Sequence, residues 1–206
     1  MSEKYRFDTM SLHSGHVPDK ETGSRAVPIY QTTSYVFKDT DEAAALYNME
    51  VGGHLYTRIS NPTIATLEQR LASLDGGVSC IACSSGMAAM HLVVSAICSS
   101  GDHIVASNKM YGANINLLQH TMTRFGIKTD FVNPNDLEEI EKSIKPNTKL
   151  VFGEVIGNPG LDVMNVPEVA KICKKKNVPL AIDATFNTPY LMTVSYTHLR
   201  AHETSI

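Results

Sequence analysis

The strongest constraint on this chain is an alternation that begins at residue 61 and runs to residue 183. Short apolar runs bounded by turn residues follow stretches of helical period, one after another. Asn61-Pro62 reads as an N-cap followed by proline at the first helical position. Ile64, Leu67, Leu71 and Leu74 then form one stripe, which Gly76-Gly77 ends. Strands are expected at 78–83, 103–107, 127–132, 149–155 and 179–183. Helices are expected at 87–98, 112–125, 136–144 and from Val166 to Lys174-Lys175-Lys176, whose cations suit a helix C-terminus. Strand and helix in turn predict an α/β fold: a mainly parallel sheet covered by helices on both faces.

Residues 1–60 lack a sustained period and read as an extended N-terminal arm, followed by a domain over 61–192. With 206 residues the chain has room for one substantial α/β domain. A formal charge of −3 gives no basic field, which argues against nucleic acid as a partner. The longest apolar passage, Met87 to Cys98, is interrupted by His91 and Ser95, and the first residues lack the apolar core of a signal peptide. No membrane partner is expected, and a cytoplasmic protein is. Cys80-Ile81-Ala82-Cys83 is formally a C-x-x-C, but no second pair stands at ligand spacing. Buried thiols on a strand are expected there, and no metal.

In sheets of this kind ligands bind beyond the carboxyl ends of the strands, so the residues just after each strand carry the chemistry. Ser84-Ser85-Gly86-Met87 forms a small turn into a helix, whose unpaired N–H groups and dipole suit a phosphate. As a lone turn it is more simply a strand-to-helix connection. Tyr111, after the second strand, offers a ring that could stack on a flat cofactor and a phenol for proton transfer, or else an ordinary surface aromatic. Asn158 brings an amide to the same zone in the run Glu154-Val155-Ile156-Gly157-Asn158-Pro159. Asp183 and Thr185 follow the last strand, where a carboxylate costs free energy unless its charge is used or it caps a turn. Tyr56 and Arg58 add a second phenol and a guanidinium suited to phosphate.

Taken in order, these segments resemble the Cys/Met-metabolism family of pyridoxal 5'-phosphate (PLP) enzymes. The resemblance rests on Ala26-Val27-Pro28-Ile29-Tyr30-Gln31-Thr32-Thr33-Ser34-Tyr35, on Tyr56-Thr57-Arg58-Ile59-Ser60-Asn61-Pro62-Thr63 and on Ser84-Ser85-Gly86-Met87-Ala88-Ala89. Tyr111-Gly112, Asn158-Pro159 and Asp183-Ala184-Thr185-Phe186-Asn187-Thr188-Pro189-Tyr190 complete it, so that it covers about residues 8–192. It implies a PLP-dependent transferase fold acting on a small amino-acid substrate in a homotetramer. It further implies that Gly86 and Met87, with Ser85, bind the phosphate and that Tyr111 stacks on the ring and assists proton transfer. By the same resemblance Asp183 pairs with the ring nitrogen beside Thr185, Asn158 meets the ring hydroxyl, and Tyr56 and Arg58 reach a neighbouring subunit's phosphate.

Asn48-Met49-Glu50-Val51-Gly52-Gly53-His54 and the stretch from Tyr111-Gly112-Ala113-Asn114 to Ile127 look most like the O-acetylhomoserine sulfhydrylase branch. Methionine γ-lyase and the cystathionine synthases and lyases are the alternatives. Ala184 stands where the family commonly has asparagine, and Met87 where many sulfhydrylases have glutamine.

The family's Schiff-base lysine lies beyond the strand-end aspartate, and here the last lysine is Lys176. The expectation is therefore a C-terminally truncated, inactive piece of the enzyme. Residues 193–206 have no family counterpart and can be encoded by a transposon-based sequencing adapter. His198 and His202 in that stretch have the spacing of zinc ligands by accident.

Overall fold

A computed structural model of the chain describes residues 5–192; residues 193–206, with His198 and His202, lie outside them. Contacts divide the chain into two compact units, one up to Ala82 and one from Cys83.

The first unit carries three helices: α1 (Phe7–His13), α2 (Thr40–Tyr47) and α3 (Pro62–Asp75). The two short helices within the first 60 residues have no counterpart in the sequence pattern. For α2 the cause is local, since the Asp39 side chain accepts the Glu42 N–H at 2.8 Å and starts the helix. Asn61 does the same for α3, accepting from Thr63 N–H at 2.9 Å, with Pro62 behind it. Asn61 also donates to the Tyr30 carbonyl at 2.9 Å, which ties the irregular segment to the helix start.

The second unit is a four-stranded parallel sheet in the order β2-β1-β3-β4, formed by His103–Ser107 (β1), Lys128–Val132 (β2), Thr148–Glu154 (β3) and Leu180–Asp183 (β4). Around it lie α4 (Gly86–Ile97), α5 (Gly112–Asn116), α6 (Met122–Arg124), α7 (Leu137–Ser143), α8 (Val166–Lys176) and α9 (Thr188–Leu191). A π turn, Leu117–Thr121, joins α5 to α6, so the helix expected over 112–125 is continuous but widened in the middle.

Alternation along the strands sorts the core into two layers. Ile104, Ala106, Leu150 and Phe152 face Met90 and Val94 of α4 and Leu117, Leu118 and Met122 of the widened helix. Val105, Val132, Val151 and Val155 face Ile140 of α7 and Val166, Val169 and Cys173 of α8. With both faces covered, the middles of the central strands are buried on both sides, and that is why residues 104–106 and 150–152 are apolar at every position.

The strand expected at 78–83 is absent. Val78 and Ile81 are 82% and 72% exposed, and no strand among the described residues pairs with them. Apolar content alone does not make a strand, because its N–H and C=O groups need a neighbour. Cys80 and Cys83 are consequently half-buried and exposed rather than buried. Cys98 and Cys173 are buried, and burial pushes their thiols up to about 11 and about 12, so neither is a thiolate at neutral pH. None of the four is in a disulfide.

The opposite edge of the sheet from the strands' carboxyl ends holds a buried polar group. His103 Nδ1 lies 2.8 Å from Thr148 Oγ1 and its Nε2 lies 3.2 Å from Asp130 Oδ2, which Lys145 also binds. Thr148 Oγ1 accepts the Lys145 backbone N–H at 2.8 Å, so its own O–H donates to Nδ1, and the neutral ring donates from Nε2 to Asp130.

Candidate active site

Parallel strands bring their carboxyl ends to one lip, here marked by Ser107, Glu154 and Asp183. Glu154 and Asp183 are register partners on neighbouring strands. Each continues the alternation of Phe152 and Ala181, so both side chains stand on the α4 side of the sheet.

The helix α4 ends shortly before β1 begins and spans about 18 Å, so its N-terminus returns to this lip. Met87 packs against the layer containing Phe152, in agreement with that placement. Ser85 is the N-cap, its Oγ accepting the Ala88 N–H at 3.1 Å. The N–H groups of Gly86 and Met87, in the first helical turn, have no intrahelical acceptor and face outward with the positive end of the helix dipole. A Cβ placed on Gly86 would meet nothing within 4 Å. The helix start is therefore uncrowded on the side where Gly86 lacks a side chain.

Tyr111 follows β1 as the N-cap of α5 and is half-exposed, its ring unburied by the chain itself. Asp183 is half-buried and its Oδ1 accepts from Thr185, through N–H at 2.9 Å and Oγ1–H at 2.5 Å. Among the described residues no donor is recorded at Oδ2, which leaves that oxygen to a donor such as a protonated ring nitrogen. Asn158 lies in the loop after β3, half-buried. Nearby, Asn187 is 3% exposed and its Oδ1 has no hydrogen-bond partner, a buried acceptor that only a donor from outside the described residues would satisfy. The open amides, the aspartate with one free oxygen and the exposed ring fit a phosphorylated, nitrogen-bearing aromatic group.

Ser85, Gly86, Met87, Tyr111, Asn158, Asp183 and Thr185 thus all belong to the second unit, at the lip or in the loops that leave it. Tyr56 and Arg58 belong to the first unit. There they stand together, the Arg58 guanidinium 5.8 Å from the Tyr56 ring centroid, with Tyr56 bridged to Ser34. Lys109 is exposed beside the lip.

One residue at the lip was not singled out by sequence. Glu154 is the only carboxylate buried among the described residues, and its Oε1 accepts the Tyr111 N–H at 2.8 Å and Asn114 Nδ2–H at 3.1 Å. Burial holds its carboxyl above the ordinary glutamate range, and the Asp183 charge adds to this, while the N–H donors of Tyr111, Asn114 and Asn158 oppose it. A charged residue closing an apolar strand was the available signal, the same one that marked Asp183.

Fold and site together define a PLP-dependent transferase architecture, a parallel sheet whose lip carries the N-terminus of α4 and the carboxylate of Asp183. The chain belongs to the family of Cys/Met metabolism PLP-dependent enzymes, whose sequence model matches residues 8–195. It is 45% identical over 192 residues to an O-acetyl-L-homoserine sulfhydrylase of Leptospira meyeri, covering 93% of this chain and 43% of that protein. An L-methionine gamma-lyase of Treponema denticola is 37% identical, over 92% of this chain and 47% of that one. In three dimensions it resembles a Campylobacter jejuni protein described as an O-acetylhomoserine (thiol)-lyase, solved with N'-pyridoxyl-lysine-5'-monophosphate. That match has a TM-score of 0.90 and 38% identity, over 94% of this chain and 47% of the other. The chain therefore spans less than half the length of the relatives it matches.

Proposed function

We propose that these residues form the cofactor-holding half of an O-acetylhomoserine sulfhydrylase, an enzyme that exchanges acetate on the γ-carbon of O-acetylhomoserine for sulfide to give homocysteine. The observation that carries the proposal is the convergence at one lip of the open α4 amides, the exposed Tyr111 ring and the Asp183 carboxylate. The similarity to a sulfhydrylase along nearly the whole chain, at 45% identity against 37% for the gamma-lyase, supports this branch of the family.

PLP, when bound, supplies an electron sink for carbanions formed on the amino-acid substrate. Around it the chain's own residues divide the work. The amides of Gly86 and Met87, with the Ser85 hydroxyl, hold the phosphate at the helix N-terminus. Asp183 Oδ2 keeps the ring nitrogen protonated, and Thr185 fixes that carboxylate by occupying Oδ1. Asn158 meets the ring hydroxyl. The Tyr111 ring covers the face of the pyridine, and its phenol moves a proton at the reacting carbon. Tyr56 and Arg58 complete the phosphate site of a neighbouring copy, so the working unit is a homo-oligomer. Within residues 1–206 no lysine follows Asp183, so these residues alone are proposed to hold PLP at most weakly and without turnover.

A chimera tests this directly: residues 8–192 replace the matching part of the Leptospira meyeri relative, which supplies its own remaining half. Incorporation of sulfide into homocysteine supports the proposal. Release of an α-keto acid from methionine in place of sulfide incorporation assigns the chain to the γ-lyase branch instead. For the 206-residue chain, borohydride reduction with PLP should leave no stoichiometric adduct at a single lysine.

A further inference from the structure

The first turn of α5 begins without a cap of its own. Tyr111 stands at the N-cap position, and its side chain makes no capping hydrogen bond. The need is met from another strand, because Glu154 at the end of β3 reaches the Tyr111 N–H and the Asn114 amide with one oxygen. Asn114 is itself buried, at 3% exposure. A second contact joins the same two loops. Gly157 runs so close to the chain before Tyr111 that a Cβ there would lie 2.4 Å from the Lys109 carbonyl oxygen, a clash with backbone that nothing could relieve cheaply.

These contacts fix the segment carrying Tyr111 to the end of β3. On its other side Glu154 is the register partner of Asp183. One buried carboxylate therefore stands between the two side chains that the functional reading assigns to the ring. We propose that Glu154 is the positioning residue of this site, holding Tyr111 and the start of α5 against β3 and so fixing where the Tyr111 ring stands relative to Asp183. The consequence for the cofactor rests on the PLP reading given above; the clamp is a property of the chain alone. The charge bearing on Glu154 comes from Asp183 on β4, α5 contributes only N–H donors, and the first turn of α4 carries no acidic residue.

The test uses the ¹⁵N-labelled 206-residue chain, first without PLP. As pH falls, the Tyr111 backbone amide and the Asn114 side-chain amide should shift upfield together, with one midpoint above that of an ordinary glutamate. Glu154→Gln, which keeps the shape and one acceptor oxygen, should abolish the shared titration. Asn114→Ala, a second variant, should leave the Tyr111 amide titrating. With PLP added, Glu154→Gln should bind it about tenfold more weakly, the worth of one charge-assisted hydrogen bond. A Tyr111 amide that does not titrate in the wild-type chain, or titrates equally in Glu154→Gln, overturns the inference whatever PLP does. Equal PLP affinity in wild type and Glu154→Gln overturns it as well. Failure of the wild-type chain to bind PLP strikes instead at the functional reading, while the shared titration still supports the clamp.

Discussion

Asp183 shows how much a single residue's place along the chain can reveal. A carboxylate after an apolar strand is expensive unless something uses it, and in a parallel sheet the strand's carboxyl end is where ligands gather. Sequence therefore led to Asp183, Tyr111 and the turn at Gly86 as site candidates. It did not lead to Glu154, which carries the same signal, because register and side-chain direction are long-range facts: only the pairing of β3 with β4 sets Glu154 beside Asp183. Asp183 also yields a measurable consequence. Asp183→Asn keeps the shape and an oxygen for Thr185, but removes the charge offered to a protonated ring nitrogen. The 206-residue chain should then bind PLP between about tenfold and about a hundredfold more weakly, as for loss of a hydrogen bond between charged partners. A titration followed by PLP absorbance reads this, with Thr185→Val expected to lose less. Unchanged affinity in Asp183→Asn would remove the ring-nitrogen role.

Elements marked by both an apolar run and local end signals were legible almost to the residue, whereas α2, with its Asp39 cap but no sustained apolar period, was not. The strand His103–Ser107 and the helix Val166–Lys176 match their sequence bounds because apolar runs, caps and terminal cations sit within them. The stretch 78–83 was misjudged for the opposite reason, since strand formation there depends on a partner. The π turn Leu117–Thr121 left no mark in the sequence because its residues keep a helical apolar pattern. At the sheet edge away from the site, His103, Thr148 and Asp130 link β1, β3 and β2, and this junction sets a pH dependence. Burial holds the His103 pKa below its ordinary value, Lys145 adds to that, and Asp130 opposes it. In the unfolded chain the imidazole protonates near about pH 6.5, so below that pH the unfolded state binds more protons than the folded one. Stability from this group is full above the unfolded value and declines as pH falls toward the lower folded value. Urea unfolding between about pH 7 and about pH 5 should show a larger loss of stability in wild type than in His103→Asn. Identical pH slopes for the two proteins would show that the imidazole stays out of the linkage.

Over the whole molecule the most telling quantity is the apolar surface left uncovered. Among the described residues of the first unit, Val36 is 98% exposed, Met49 90%, Ile29 79% and Val17 77%. The helices there bury nothing fully: α1, α2 and α3 have no buried residue, in contrast to α4 and α8. Scattered apolar side chains are ordinary on protein surfaces, but a unit with so few buried contacts of its own gains more than usual from covering them. A net charge of −3 does little to keep copies apart. The chain should therefore self-associate through its first unit, as the proposed role of Tyr56 and Arg58 in a neighbouring copy also requires. Sedimentation of the 206-residue chain should show a mass that rises with concentration. The double variant Val36→Lys, Met49→Lys should shift it toward the monomer while leaving the far-UV circular dichroism unchanged, because neither side chain supports the fold. A wild-type chain that sediments as a single monomeric species throughout the series would mean that the first unit stands alone, and Tyr56 and Arg58 would lose the neighbour they are proposed to serve.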